Sequence, residues 1–452
     1  MNEKIIPPAG DMTLETFCSR ALAMAQESGV SPAEICYKAS ESFSVTVREG
    51  KLEDYKVNDR FSLTMRGRFA GRIGTASTQA LDEESLTMLI DGVRESAQLI
   101  ETEDQDELCP PEEAYSSVCN CSEALESVTA EEKIALAMEI DRRMCANDPR
   151  VRPDASVVST ARETFSLRNT LGMCLSHTSN LIFAYGSCLI KEGENAATGF
   201  KLLWGHSLED VDAAKIADGC TQDAAGKLGA GRMKSGAVPV VIRSGAMADL
   251  LTTFSGVFSA DNAQKGMSLL AGKEGCVIAS PHVSIIDDPL MTFGIGSCPF
   301  DREGAASVTK HVVENGTLKT LLHNRRTAAR AGVHTTGNAA SGGQIAPSNL
   351  YISPGKKSLD TLLEEMGEGL LLTEVSGLHA GANPISGDFS LLARGWEVHG
   401  GRAVRAVEQF TVAGNFYRLM ENVTAVADDL LFEGSPIGSP SVAVKSLSVA
   451  GE

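Results

Sequence analysis

Aromatic residues are scarce in this chain, 5% of 452 residues, with two Trp and six Tyr. Its core therefore has to be built from Leu, Val, Ile, Ala and Met, with 43 Gly in the connections. Long apolar runs are missing as well. None reaches the roughly 18 residues that a membrane span needs. The N-terminal string MNEKIIPPAG has no apolar stretch of the signal-peptide kind. These absences predict a cytoplasmic chain that makes no membrane contact. Positive charge is in short supply: 40 Lys and Arg stand against 59 Asp and Glu, a formal charge of −19. Such a surface repels polyanions, which argues against direct nucleic-acid binding. The densest basic strings, RGRFAGR (66–72) and RRTAAR (325–330), read as solvated turns or helix faces.

Recognisable catalytic motifs are also lacking. The chain has 11 Cys but no CxxC pair. Cys119 and Cys121, with Cys109 nearby, sit in an acidic, Pro-containing stretch and read as unpaired thiols rather than a disulfide framework or a zinc site. No two of the eight His are three to five residues apart, and none precedes a Glu. A helix therefore cannot present an adjacent His pair or an H-E metalloprotease motif. There is no G-x-S-x-G elbow, Walker loop or G-x-G-x-x-G after a strand. His311 and His323, flanking Asn315-Gly316, read as a surface pair, and Cys298 before Pro299 as a thiol at a strand end. Asp287/Asp288 and Asp301/Glu303 read as turn and capping residues.

What is present is regular patterning. Residues 13–28 predict an amphipathic helix with Leu14, Phe17, Leu22 and Met24 on one stripe. Two hairpins follow, with turns expected at Gly50 and Gly67, then a helix over 81–100. An acidic loop or linker is expected over 101–128, then a helix over 130–147, a second set of strands, and a helix over 208–229. ESFSVTVREGK (41–51) echoes ETFSLRNTLGM (163–173). That echo suggests an internal repeat whose halves share one antiparallel sheet. Beyond residue 236 the texture becomes mostly β. AVPVVI reads as a buried strand and GAMADLLTTFSGVF as a helix, with hairpins at Asn315-Gly316 and Gly400-Gly401. The expected fold class is α+β, with an N-terminal α+β domain (1–235) and a β-rich barrel or sandwich (236–452).

Five strings occur in order along the C-terminal half: FDREGAASVTKHVVENGTLKTLLHNRRTAARAG, TTGNA, GLLLTEVSG, NPISGDFSLLARGWEVHGG and VEQFTVAGNFYRLMENVTAVADDL. Together they resemble the TldD/PmbA family, and specifically its PmbA (TldE) branch. Gly387-Asp388-Phe389-Ser390 is similar to that branch's GDYS, and Thr411–Asn415, TVAGN, to its TIAGN. The match is dense from about 292 to 451 and looser before it. The resemblance implies an α+β domain followed by a β-rich one. It also implies a division of labour. TldD-type members resemble zinc peptidases that carry HExxxH on a helix and a Cys near the C-terminus. PmbA-type members are their heterodimer partners and lack those ligands.

By order along the chain, GAMADLLTTFSG occupies the slot of the zinc helix. It contains no His, and the last Cys is Cys298. The resemblance thus implies a non-catalytic subunit with no cofactor of its own, and zinc in a TldD-like partner. The substrate would be a peptide or an unfolded polypeptide. Candidate substrate-facing loops are Thr336, Gly337 and Asn338 in TTGNAASGG, and Asn383, Gly387 and Asp388 in GANPISGD. Such loops expose backbone groups suited to strand addition; the competing reading is plain inter-strand turns. Three alternatives stay open: a self-sufficient hydrolase with other metal ligands, a regulatory protein of the kind described as a modulator of DNA gyrase, and a homodimer where no sister chain exists.

Overall fold

The computed structural model describes residues 12–101 and 107–452. The string MNEKIIPPAG and residues 102–106 of the acidic segment lie outside the described residues. The first half runs α1 (Leu14–Glu27), β1 (Ala33–Arg48), β2 (Lys51–Phe69), β3 (Arg72–Thr78), α2 (Glu83–Leu99), α3 (Glu123–Glu126), α4 (Ala130–Asn147), β4 (Val151–Asn169), β5 (Cys174–Glu192), β6 (Asn195–Gly205) and α5 (Ala213–Lys227). Thr13, Asp82, Thr129 and Asp212 cap the four long helices, each accepting from a free backbone N–H of the first turn. Helix α5 is shorter than expected because a separate 3₁₀ turn takes Leu208–Asp210.

The six strands form one antiparallel sheet in the order β3-β2-β1-β4-β5-β6. β1 and β4 meet at its centre, with Glu41 opposite Arg162. Each flank is a helix, three strands and a helix, so the repeat seen in the sequence is a repeat of structure. Gly50 and Gly172 turn the first hairpins with φ of 71° and 97°, and Gly71 and Gly193 turn the second with 82° and 60°. Each pair is 122 residues apart, the spacing of the sequence echo. All four long helices lie on one face. Ile35 and Tyr37 of β1 pack with α1 and α2, while Val45 and Val47 pack with α4 and α5.

Three expectations are corrected here. The turn expected at Gly67 forms at Ala70-Gly71. Gly67 lies within β2, where an added Cβ would come 2.2 Å from Val30 Cγ1, so its missing side chain makes room for the core. The buried stripe of α1 is Phe17, Cys18, Ala21 and Ala25, with Leu22 and Met24 at its rim. Small side chains at the contact let the helix sit close to the sheet. The acidic segment is not a free linker over its described part, since Leu108 and Asn120 are buried.

The second half runs β7 (Gly231–Arg232), β8 (Gly236–Ile242), α6 (Ser244–Phe254), α7 (Ala260–Gln264), β9 (Ile285–Asp287), β10 (Lys310–Glu314), β11 (Thr317–Leu318), α8 (Arg325–Ala331), β12 (Leu350–Ile352), α9 (Leu359–Met366), β13 (Gly369–Ser376), α10 (Leu378–Gly381), β14 (Asp388–His399), β15 (Arg402–Asn415), α11 (Phe416–Glu421), β16 (Val423–Val426), β17 (Ile437–Gly438) and β18 (Val442–Ala450). Strands β18, β8, β13, β14 and β15 are neighbours in that order, and β15 pairs back onto β18, which closes a five-stranded barrel. β8 and β13 are parallel. Val240, Ile242, Leu370 and Leu372 pack on the α6 side, and Val241 and Leu371 on the α9 side. Burial on both faces explains why these two strands read as continuous apolar runs.

His311 and His323 do not form a surface pair. His311 is exposed on β10, whereas His323 is buried and its Nδ1 lies 3.2 Å from Thr327 Oγ1. The hairpin turns at Asn315-Gly316, and β11 ends at Leu318, before the ladder could reach His323. The RRTAAR string is helical but not simply solvated. Arg325 is partly buried and pairs with Glu112 at 3.1 Å.

Candidate functional site

Helix α6 follows β8 after a single residue, Arg243. Its first N–H groups have no side-chain cap from Arg243; instead Ser244 N donates to Ser441 Oγ at 3.1 Å. Ala246, Met247, Leu250, Leu251 and Phe254 are buried in the main core, and Phe254 stacks on Phe416 with centroids 4.8 Å apart. What remains of the helix faces a groove. Gly245, Ala246 and Asp249 line it, and Asp249 is the single ionisable residue of the helix.

The groove has a volume of about 840 Å³ and lies between the second flank of the six-stranded sheet and the barrel. α5 contributes Asp223 and Lys227, β6 Phe200 and Lys201, β13 Glu374, β14 Arg394 and Trp396, β15 Glu408, and the chain before β17 Glu433. Lys227 Nζ bridges Asp223 Oδ2 at 2.8 Å and Glu374 Oε2 at 3.2 Å. Arg394 lies between Glu374 and Glu408, at 3.9 and 3.5 Å. Four further charges, Lys201, Arg243, Asp249 and Glu433, make no side-chain hydrogen bond or ion pair among the described residues. Glu433 sits tightly over the helix start, for a Cβ on Gly245 would meet its Oε2 at 2.6 Å. The Asp249 carboxyl is pushed up to about 6, first by burial and then by Glu433 and Glu374. It keeps one face open to the groove but is deep enough among protein atoms to lose part of its hydration.

The groove is held in place by contacts between the two halves. Trp204 Nε1 donates to Phe432 O. His206 Nε2 is 3.0 Å from Phe293 O, and Asn120 Nδ2 donates to Ser297 O at 3.1 Å. On the sheet face away from the helices, the Arg302 guanidinium lies 4.0 Å from the Phe165 ring centroid, and Phe300 packs on the same ring.

The loops singled out in the sequence lie elsewhere. Asn338 is 2% exposed and its amide is fully engaged: Nδ2 donates to Asp287 Oδ2 at 2.7 Å, while Oδ1 accepts from Lys310 Nζ and from Thr336 Oγ1. Thr336 Oγ1 also accepts from His323 N at 2.6 Å, and Gly337, at φ 68°, turns between them. In the other loop, Asn383 Oδ1 accepts from Ile385 N at 2.9 Å. Gly387 has φ 82° and abuts Tyr417, and Asp388 Oδ1 accepts from Asn415 Nδ2 at 2.8 Å. Asn415 and Ser386 hold the Asp388 carboxyl below its usual range. No hydrogen bond or ion pair joins the two loops among the described residues, and neither lines the groove. Sequence reading missed Glu374, Arg394, Trp396 and Glu433. They come from separate strands and loops, and no local pattern ties them together.

The family follows from comparison with known proteins. Models described as PmbA/TldA metallopeptidase domain 1, central domain and C-terminal domain match residues 33–97, 123–228 and 235–451. A Thermotoga maritima structure is 32% identical, with a TM-score of 0.91 over 97% of this chain and 100% of that one. The chain belongs to the PmbA/TldD metallopeptidase family. The Thermotoga protein carries a provisional name as a modulator of a DNA gyrase. The Metalloprotease PmbA of Escherichia coli O157:H7 is 24% identical over 448 residues, 97% of this chain and 96% of that protein. TldE from Thermococcus kodakarensis, 20% identical, shares the fold with a TM-score of 0.88 over 96% of this chain and 100% of that one. Within this PmbA/TldD frame the metal question can be put to the residues. Among the described residues, no group of three or more His, Cys, Asp or Glu is gathered to hold a metal ion. Along the groove, α6 supplies one carboxylate and no imidazole. The residues present do not fit a catalytic zinc.

Proposed function

We propose that this chain is the PmbA/TldE-type subunit of a cytoplasmic two-chain peptidase. In this reading a TldD-like partner supplies the zinc, and the groove of this chain holds part of a peptide or unfolded polypeptide. One observation carries the proposal: one wall of the groove is the helix after β8, and Asp249 is the only ionisable group that helix offers. Hydrolytic zinc takes about three protein ligands and an open position, so hydrolysis is assigned to the partner.

The groove suits a peptide for simple chemical reasons. Among the described residues, Asp249 and Glu433 are acids without a partner, open to an amine or a basic side chain, and Lys201 and Arg243 are cations without a partner, open to a carboxylate. Trp396 and Phe200 supply apolar wall. The charge of −19 disfavours the alternative in which the chain acts on DNA directly. The test is hydrolysis of an unfolded polypeptide with zinc present, by this chain alone, by a TldD-like sister alone, and by the mixture. Activity in the mixture above that of the sister is the expected result. Chelator-sensitive hydrolysis by the pure chain alone would overturn the assignment.

A further inference from the structure

Lys310, Asn338 and Asp287 meet inside the second half of the chain, away from the groove. Strand register brings two of them together, for Lys310 opens β10 and sits directly opposite Asp287 of β9. The loop after α8 delivers the third. Gly337 lets that loop approach, since a Cβ there would come 2.9 Å from Ala306 O. Asn338 is pinned through its own backbone: its N–H donates to His323 O at 3.3 Å, and its carbonyl accepts from Ala346 N at 3.1 Å. The three side chains are nearly dry, with Asp287 0%, Asn338 2% and the Lys310 side chain 12% exposed.

The arrangement goes beyond what a buried ion pair needs. One carboxylate oxygen, Asp287 Oδ2, lies 3.0 Å from Lys310 Nζ and 2.7 Å from Asn338 Nδ2. Lys310 Nζ is 3.1 Å from Asn338 Oδ1, the oxygen of the same carboxamide. That oxygen also accepts from Thr336 Oγ1 at 2.8 Å. Asp287 is itself fixed, because its other oxygen accepts from Ser348 N at 2.7 Å. These are the groups that amide exchange requires. Lys310 is the amine and Asn338 the carboxamide. Asp287 is an acid–base group in contact with both the entering and the leaving nitrogen, and Thr336 is a donor on the carbonyl oxygen.

We propose that Lys310 and Asn338 become joined by an isopeptide bond that the chain forms on itself. Asp287 Oδ2 takes a proton from the Lys310 ammonium. The free amine attacks Asn338 Cγ, and the carbonyl electron pair moves onto Oδ1, where the Thr336 hydroxyl donates to it. Asp287 gives its proton to Nδ2 and takes another from the attacking nitrogen. The carbonyl re-forms, the Cγ–Nδ2 bond breaks, and ammonia leaves, carrying the last proton from Asp287 as ammonium. One C–N bond forms and one breaks, and nothing is oxidised or reduced. The product ties β10 to the loop after α8 and closes the chain around β11 and α8. Strands β9, β10, β11 and β12 have only 3, 5, 2 and 3 residues. A covalent closure there adds to a sheet with few ladder hydrogen bonds by restricting the unfolded chain.

Intact mass spectrometry of the denatured full chain tests the bond without substrate or partner, so its outcome is separate from that of the peptidase assignment. The expected mass is that of the sequence less one ammonia. A tryptic digest should give one branched peptide holding both Lys310 and Asn338, with no cleavage after Lys310. Lys310→Arg and Asp287→Ala should each show the full mass of its own sequence. Circular dichroism checks that these variants fold, and the wild-type peptide map decides the matter even where they do not. A wild-type chain of full sequence mass overturns the bond. Ammonia loss that persists in Lys310→Arg also overturns it, and marks a cyclic imide at Asn338 instead.

Discussion

The two flanks of the N-terminal sheet share a plan and differ in what rests against them. Gly74 of β3 and Gly199 of β6 are both pressed onto the backbone of the following helix, with an added Cβ 1.8 Å from Val93 O in one and 2.1 Å from Cys220 O in the other. The hairpins turn at glycines of matching position. Outside this common frame the flanks part. The second builds one wall of the groove through β6 and α5, and residues 120–122 cover its strand edge at Asn180. The first has neither role, and among the described residues no strand pairs with the outer edge of 51–62. The repeat thus supplies one scaffold twice, and the second flank carries the contacts that build the groove.

The largest effect is expected where the flanks are most alike. Gly74→Ala and Gly199→Ala each push a methyl into helix backbone and should each destabilise by about 3 kcal/mol or more. Urea unfolding measures both, and tolerance of one but not the other would break the comparison. A smaller effect separates the paired asparagines. Asn180→Ala removes a side chain that bonds Ser122 and Glu126 and should cost about 2 kcal/mol. Asn58→Ala, at the matching exposed position, should change monomer stability by less than about 0.5 kcal/mol. Equal costs would mean that the sealed edge contributes nothing.

A further modest effect lies at the groove and depends on pH. Asp249 has a folded pKa of about 6, above the 3.8 of an ordinary Asp. Its contribution is therefore full below the unfolded value and is lost as pH rises from 3.8 through 6. Asp249→Asn should stabilise the chain above pH 6 by about 1 kcal/mol at most, because the carboxyl keeps one face in water. The same substitution should change little at pH 4. Thermal melts at the two pH values read the difference, and a variant less stable at high pH would show that Asp249 has a cationic partner.

Much of the fold was legible because its signals are local. Helix starts are marked by Thr and Asp caps, and the turn at Asn315-Gly316 follows from residues that accept φ above zero. Gly67 was misread because an interior glycine that relieves crowding looks, in sequence, like a turn glycine. The candidate loops were misleading in a related way. Asn338 has the polarity of a binding residue, yet it is buried and completes the Asp287–Lys310 network.

The sequence by itself determined the repeat, the order of helices and strands, the acidic charge, and the lack of any His or Cys on α6. Each of these depends only on residue identity or on spacing of a few residues. The tertiary structure alone decided that β15 returns to β18 to close the barrel. It also decided that Asp249, Glu374 and Glu433 face one groove, and that Asn180 is covered while Asn58 is not. These outcomes depend on which strands pair across long stretches of chain. Burial and electrostatic coupling arise only once such distant segments have been brought together.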